Sequence, residues 1–238
     1  MNIHLKSCHI IRLGRVLGFW GICILALSSC SSSMVGSTSA GTAISRTTKK
    51  QKKDFMHTIV IDAGHGGFDL GAHHFGKEEK EINLKTAHLL RKHLINKGFR
   101  VVLTRSRDEY LPLKKRVEIA NTNRCQALIS IHYNSAKNPQ AQGIEVFYAK
   151  KGDGLRKKLS KSMANKVLQS ALLLTKAKSR GVKEGNFCVI RDTKIPAILI
   201  EGGFMTHEQE RKKLQNDNYL NEIAKGIADG VEAYFWQI

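Results

Sequence analysis

The sequence predicts an α/β fold, with one folded domain in which a largely parallel or mixed sheet is covered by helices on both faces. Three observations support this. From residue 57 onward, short apolar runs alternate with segments whose apolar residues recur at helical period, the pattern that lays helices over a sheet. The 238 residues are 42% hydrophobic and 25% charged, which suits one well-buried domain with an appendage. No internal repeat and no second hydrophobic pattern divides the folded part.

The elements follow in order. Thr58 to Ile61 reads as a strand, and beyond it Gly64, Gly66 and Gly67 surround His65, so the backbone can turn with positive φ beside the imidazole. A helix is predicted from Glu79 to Lys97, where Ile82, Leu84, Ala87, Leu90 and Leu94 share one face and Gly98 stands at the C-cap. Phe99 to Thr104 reads as a strand, Leu113 to Asn121 as a short helix, and Ala127 to His132 as a buried strand. Gly143 to Ala149 alternates as a strand does, and Leu155 to Leu174 is a long amphipathic helix. Further strands are predicted at Phe187 to Ile190 and Ala197 to Ile200, with closing helices at Glu208 to Leu214 and Tyr219 to Tyr234. The run Thr104-Arg105-Ser106-Arg107-Asp108, with Arg116 and Asn121 nearby, reads as a salt-linked loop that holds the sheet edge.

Ahead of this domain, residues 1–29 carry Lys6, Arg12 and Arg15, no acid, and the apolar run Val16 to Leu27. That run is short for a membrane span and is followed by small residues, as in a cleaved export signal. It ends Leu27-Ser28-Ser29-Cys30, which resembles the lipobox of bacterial lipoproteins and makes Cys30 the expected lipidation site. Residues 30–56 are rich in Ser, Thr, Gly and Lys without apolar period and read as a flexible tether.

Loss of the signal lowers the formal charge from +19 to +16. So basic a surface attracts nucleic acid, anionic lipid or an acidic wall polymer. Export and the lack of interleaved aromatics argue against nucleic acid. Cys125 and Cys188 read as buried thiols rather than a disulfide, since a domain of this size needs no staple.

Three donors fall where such a sheet gathers ligands: His65 after the first strand, Glu79 at the start of a helix, and His132 at the end of a central strand. Two histidines and a carboxylate form a zinc set with a fourth position open for water, one Zn²⁺ per chain. Zinc is preferred to iron because nothing in the chain points to oxygen chemistry. Glu201, after the strand Ala197 to Ile200 and before Gly202-Gly203, is placed to act as the base for a hydrolytic water. The remaining histidines, His73, His74, His88, His93 and His207, read as solvated or packing residues.

Over residues 57 to 236 the chain resembles the zinc-dependent N-acetylmuramoyl-L-alanine amidases of the amidase 3 type. The resemblance rests on Ile61-Asp62-Ala63-Gly64-His65-Gly66-Gly67, Gly71-Ala72, Glu79-Lys80, Asn83-Leu84, Thr104-Arg105 and Leu113 with Arg116. It continues through Ala120-Asn121, Ser130-Ile131-His132-Tyr133-Asn134, Arg180-Gly181-Val182 and Glu201-Gly202-Gly203-Phe204. It implies a single domain, residues 57–238, with a six-stranded mixed, largely parallel sheet and helices on both faces (phosphorylase/hydrolase-like). Zinc would be held by His65, Glu79 and His132, with Glu201 as catalytic base and Asn134 as a substrate contact.

The implied activity is hydrolysis of the amide between the lactyl group of N-acetylmuramic acid and L-alanine in peptidoglycan. The enzyme would work in cell-wall remodelling and daughter-cell separation, exported to the bacterial periplasm or envelope and anchored to a membrane if Cys30 is lipidated. A protein activator is a further conceivable partner. Some relatives carry a helix that plugs the site, but the stretch from Asn134 to Leu155 leaves no room for one, so activity without plug release is expected. Two rival readings are a catalytically silent wall-binding lipoprotein and a serine-type penicillin-interacting peptidase. The second lacks Ser-x-x-Lys and Lys-Thr-Gly sequences.

Overall fold

The computed structural model describes residues 57–122 and 124–236. The predicted signal, Cys30 and the tether to residue 56 lie outside these. Among the described residues no helix is long and apolar enough to cross a membrane.

The chain runs β1 (Thr58–Ala63), β2 (His73–His74), β3 (Lys77–Glu78), α1 (Glu79–Asn96), β4 (Arg100–Leu103), α2 (Leu113–Thr122), β5 (Ala127–Asn134) and β6 (Ile144–Ala149). It continues through α3 (Gly154–Thr175), β7 (Ser179–Gly185), α4 (Cys188–Arg191), β8 (Ala197–Phe204), α5 (Glu208–Lys213) and α6 (Asp217–Phe235). Six strands form one sheet in the order β4-β1-β5-β8-β6-β7, and β2 and β3 form a small separate hairpin. Neighbours are parallel except β6 and β8, which are antiparallel. The predicted mixed, largely parallel six-stranded sheet is thus the observed one.

Strand parity sorts the sheet into two faces. Ile59, Ile61, Ile129, Ile131, Ile198 and Ile200 point to one side and join the main core with residues of α1, α3 and α6. Each is fully buried or nearly so, which contributes about 2 kcal/mol per side chain. Val60, Leu128, Ala197 and Leu199 point to the other side and pack against Ala120 of α2 and Val189 and Ile190 of α4. The same parity carries Asp62, Ser130, His132 and Glu201 onto this second face, at the carboxyl ends of β1, β5 and β8. From β1 the chain goes to β4 on one side and then to β5 on the other, so the strand order reverses where ligands gather in open α/β sheets.

One expected element is different. Phe187 to Ile190 is not a strand: α4 occupies Cys188–Arg191 and buries Val189 and Ile190, and four apolar residues were too few to show a period. The sixth strand is β7, whose sequence Ser-Arg-Gly-Val-Lys-Glu-Gly pairs only with β6 at the sheet edge. An edge strand with both faces partly solvated has no need of alternating hydrophobics. The β2–β3 hairpin, with Phe75 and Gly76 both at positive φ in its turn, was also not foreseen. No helix interrupts residues 135–153, as expected.

Candidate metal centre

β1 ends at Ala63, and His65 follows with φ +58, a left-handed conformation that a residue with a Cβ adopts at a cost. That turn aims the imidazole back over the sheet. His65 Nδ1 donates to Asp69 Oδ1 at 2.9 Å, which leaves Nε2 facing Glu79 Oε2 at 3.2 Å. Glu79 opens α1, and its other oxygen, Oε1, lies 2.9 Å from His132 Nδ1. The two imidazole rings stand edge to face with centroids 4.9 Å apart.

One ligand atom from each of His65, Glu79 and His132 lies within 4.8 Å of the others. The two nitrogens and one oxygen converge on a single point, a set suited to a small divalent cation. Among the described residues no other group of histidine, cysteine or carboxylate side chains converges in this way.

The carboxylate between the rings is held from all sides. Glu79 Oε2 accepts from the Ala72 backbone N–H at 2.8 Å, and Oε1 accepts from Tyr133 N at 3.1 Å and Asn83 Nδ2 at 3.2 Å. Burial alone would raise the Glu79 pKa, but bonds and charge from His132 and His65 hold it far below the usual carboxylate range. For His65, burial disfavours the charged ring, and Glu79 and Asp69 overcome this to raise its pKa. A cation placed among these groups would take over the role the ring protons play here.

Beneath the site, the loop is pinned by two arginines. Arg116 is buried and donates to Asp62 Oδ1 at 2.9 Å, Ala63 O at 2.6 Å and His65 O at 2.7 Å. Arg105, also buried, donates to Ala63 O at 3.0 Å, Gly64 O at 2.8 Å and Lys80 O at 2.8 Å. Thr104 and Ser130 hydroxyls complete the shell of Asp62. Burial works against the Asp62 charge, yet Arg116 and the two hydroxyls keep its pKa below the ordinary value. Arg105 and Arg116 therefore do not merely tie a sheet edge, as read from sequence: they fix the backbone that carries His65. Gly64 in that backbone has no alternative, because a Cβ there would overlap the His132 ring.

Glu201 sits beside His132 in the parallel register of β5 and β8, and opposite Glu145 in the antiparallel register of β6 and β8. Its Oε2 is buried without a hydrogen-bond partner. Burial, then the charges of Glu79 and Glu145, push its pKa well above the ordinary glutamate range. Asn134 donates to Glu145 Oε1 at 2.8 Å, and Arg180 donates to the other oxygen of Glu145 at 3.0 Å.

A cavity of about 560 Å³ takes in His65, Glu79, His132, Asn134 and Glu201, with Tyr110, Leu113 and Phe187 on its apolar flank. The side chains singled out from sequence thus meet in one place. Missed were Asp62, Asp69, Asn83 and Arg105 as supports. Asp69 alone had a local signal, standing four residues after His65.

The remaining expectations fare unevenly. Cys125 is a buried cysteine outside any disulfide, but Cys188 is only half buried, because it opens α4 rather than lying in a strand. Asn121 accepts from the Lys194 backbone. His74 meets Ser135, His93 meets Asn221, and His207 caps α5; none of them joins the set of His65, Glu79 and His132, although Ser135 lines the same cavity.

The family model described as N-acetylmuramoyl-L-alanine amidase matches residues 59–233. The N-acetylmuramoyl-L-alanine amidase AmiA of Escherichia coli is 30% identical over 258 residues, covering 90% of this chain and 89% of AmiA. The probable cell wall amidase LytH of Staphylococcus epidermidis is 35% identical over 75% of this chain, which spans 58% of that protein. Among solved structures, an N-acetylmuramoyl-L-alanine amidase from Clostridium difficile superposes with a TM-score of 0.71 at 39% identity, over 75% of this chain and 96% of that one. The chain belongs to the N-acetylmuramoyl-L-alanine amidase family of cell-wall hydrolases.

Proposed function

We propose that the chain is an exported enzyme that cuts peptidoglycan at the amide between the muramoyl lactyl group and L-alanine, with one Zn²⁺ held by His65, Glu79 and His132. The carrying observation is the pairing of three convergent donors with Glu201, a carboxylate with one oxygen buried and without a hydrogen-bond partner, in one cavity. When bound there, zinc would supply a Lewis acid for the scissile carbonyl and make a bound water more acidic.

The protein's own groups do the rest. His65 offers Nε2 because its Nδ1–H donates to Asp69 Oδ1, an arrangement that fixes tautomer and ring direction. Glu201 takes the proton of the attacking water and returns it to the departing alanine nitrogen. Burial and the charges of Glu79 and Glu145 raise its pKa, which strengthens it as an acceptor of the water proton. Asn134 contacts substrate at the cavity wall, its amide oriented by Glu145 and by the Ser135 N–H.

Export by residues 1–29, lipidation at Cys30 and reach through residues 30–56 would bring this centre to the wall, in the service of remodelling and daughter-cell separation. No plug-releasing activator is required in this reading, and a large rise in turnover on adding one would contradict it.

Digestion of purified sacculi, read by mass spectrometry with and without a chelator, tests the proposal. Expected products are stem peptides with a free L-alanine amine and peptide-free glycan, both suppressed by chelation. Intact sacculi would favour the silent wall binder, and labelling by a β-lactam probe would favour the serine peptidase.

A further inference from the structure

Several large hydrophobic side chains stand exposed around the cavity mouth: Phe68 (77%), Tyr110 (44%), Leu113 (56%) and Phe187 (39%). Phe68 and Tyr110 form a unit, their rings stacked with centroids 4.1 Å apart and planes at 28°. Tyr110 lines the cavity, and Phe68 lies against it.

Both rings ride on backbone that cannot easily move. Gly67 N donates to Asp108 Oδ1 at 2.8 Å, and Lys80 Nζ donates to Gly67 O and Asp108 Oδ2, each at 2.8 Å. Gly66 and Asp69 exchange backbone bonds at 2.9 and 3.2 Å.

Holding two aromatic rings rigid in water contributes little to the core and risks aggregation, so such a ledge points to a ligand. Its borders narrow the choice. Arg107, Asp108 and Glu109 adjoin Tyr110, and their side chains are at least partly exposed. Flat apolar faces bordered by planar hydrogen-bonding groups match a pyranose, which has an apolar C–H face and polar hydroxyl and acetamido edges. A stem peptide of small and charged residues offers no such face.

We infer that Phe68 and Tyr110 form a stacking platform for a sugar ring of the glycan strand, one position beyond the muramoyl unit whose amide is cut. This rests on the peptidoglycan reading above. Phe68 is placed to set the preference for long glycan over isolated muramoyl peptides.

The test uses the full chain with Phe68→Ala, Phe68→Leu and Phe68→Trp, in two assays. One is binding of peptide-free glycan strands to metal-free protein. The other is hydrolysis of glycan-linked stems compared with a single-sugar muramoyl peptide.

Ala and Leu should weaken glycan binding about fivefold and raise KM on the long substrate by a similar factor. The single-sugar substrate should be unaffected, and Trp should bind at least as well as the parent. Unchanged glycan binding in Phe68→Ala, parent-like behaviour of Phe68→Leu, or an equal rise of KM on both substrates would each overturn the platform. Should zinc-loaded parent protein cleave no muramoyl substrate while glycan binding still depends on Phe68, the amidase reading falls and the platform stands.

Discussion

At the residue scale, the site is set by two carboxylates with opposite electrostatic fates on one sheet face. Asp62 stays charged because Arg116, Thr104 and Ser130 surround it. Glu201 has an oxygen that nothing solvates. Removing one member of a buried ion pair leaves its partner uncompensated, at a cost of about 3–5 kcal/mol. Asp62→Asn should lose about that much in urea unfolding, together with order in the His65 loop.

Glu201 behaves in the opposite sense. Its folded pKa is raised, so the native state holds this proton more tightly than the unfolded chain does. Stability from the protonated form is present at low pH and is lost as pH climbs from the ordinary glutamate value, about 4.3, towards the raised one. In metal-free protein, Glu201→Gln should match the parent near pH 4 and exceed it at higher pH. The gap should grow by about 1.4 kcal/mol per pH unit within that window. A difference that does not vary with pH between 4 and 8 would show that the carboxyl is not displaced.

At the element scale, α3 and α6 pack closely on each other. Gly226 and Gly230 lie one turn apart on α6, and a Cβ at Gly226 would come within 2.6 Å of the Ala171 Cα. At Gly230 a Cβ would run into the backbone of Val167. The helices approach this closely only because those positions lack side chains. Gly230→Val should therefore destabilise by about 2 kcal/mol or more through overpacking, visible as a lowered Tm with zinc affinity unchanged in the fraction that remains folded.

These packing contacts also show what the sequence could disclose. Runs such as Thr58 to Ile61 and Ala127 to His132 are buried on both faces and announce themselves as strands, and Leu90 and Leu94 mark the inner face of α1. β7 carried no such mark, since an edge strand is specified by its neighbour's open hydrogen bonds and not by its own side chains. Phe187 to Ile190 was apolar because α4 packs on the second face, and so it mimicked a strand. His65, Glu79, His132 and Glu201 were legible because each stands next to a recognisable strand or helix end. Arg105 and Arg116 were read as parts of a salt-linked loop at the sheet edge, because most of their partners are backbone carbonyls far off in sequence, such as Gly64 O, 41 residues from Arg105, and Ala63 O, 53 residues from Arg116, and no spacing rule reports such contacts.

At the scale of the whole molecule, the sheet places its reactive groups at the reversal of strand order and leaves the second face thinly covered there by α2 and α4. The cavity is the space that coverage leaves. The predicted export signal and Cys30 would act on where this centre works, not on how. Cys30→Ala should therefore shift the protein from the membrane to the soluble envelope fraction while its activity on isolated sacculi stays within about twofold. Retention in the membrane fraction would remove the lipid anchor from the account.

The central claim is that His65, Glu79 and His132 hold the metal and that Glu201 does not. Zinc titration of the full chain beside the variants His65→Ala, His132→Ala and Glu201→Gln, with cleavage of sacculi followed in the same samples, tests it most directly. The account predicts one zinc per chain in the parent and in Glu201→Gln, cleavage only in the parent, and neither zinc nor cleavage in the two histidine variants. Equal loss of zinc in all three variants, or undiminished cleavage by Glu201→Gln, would contradict it.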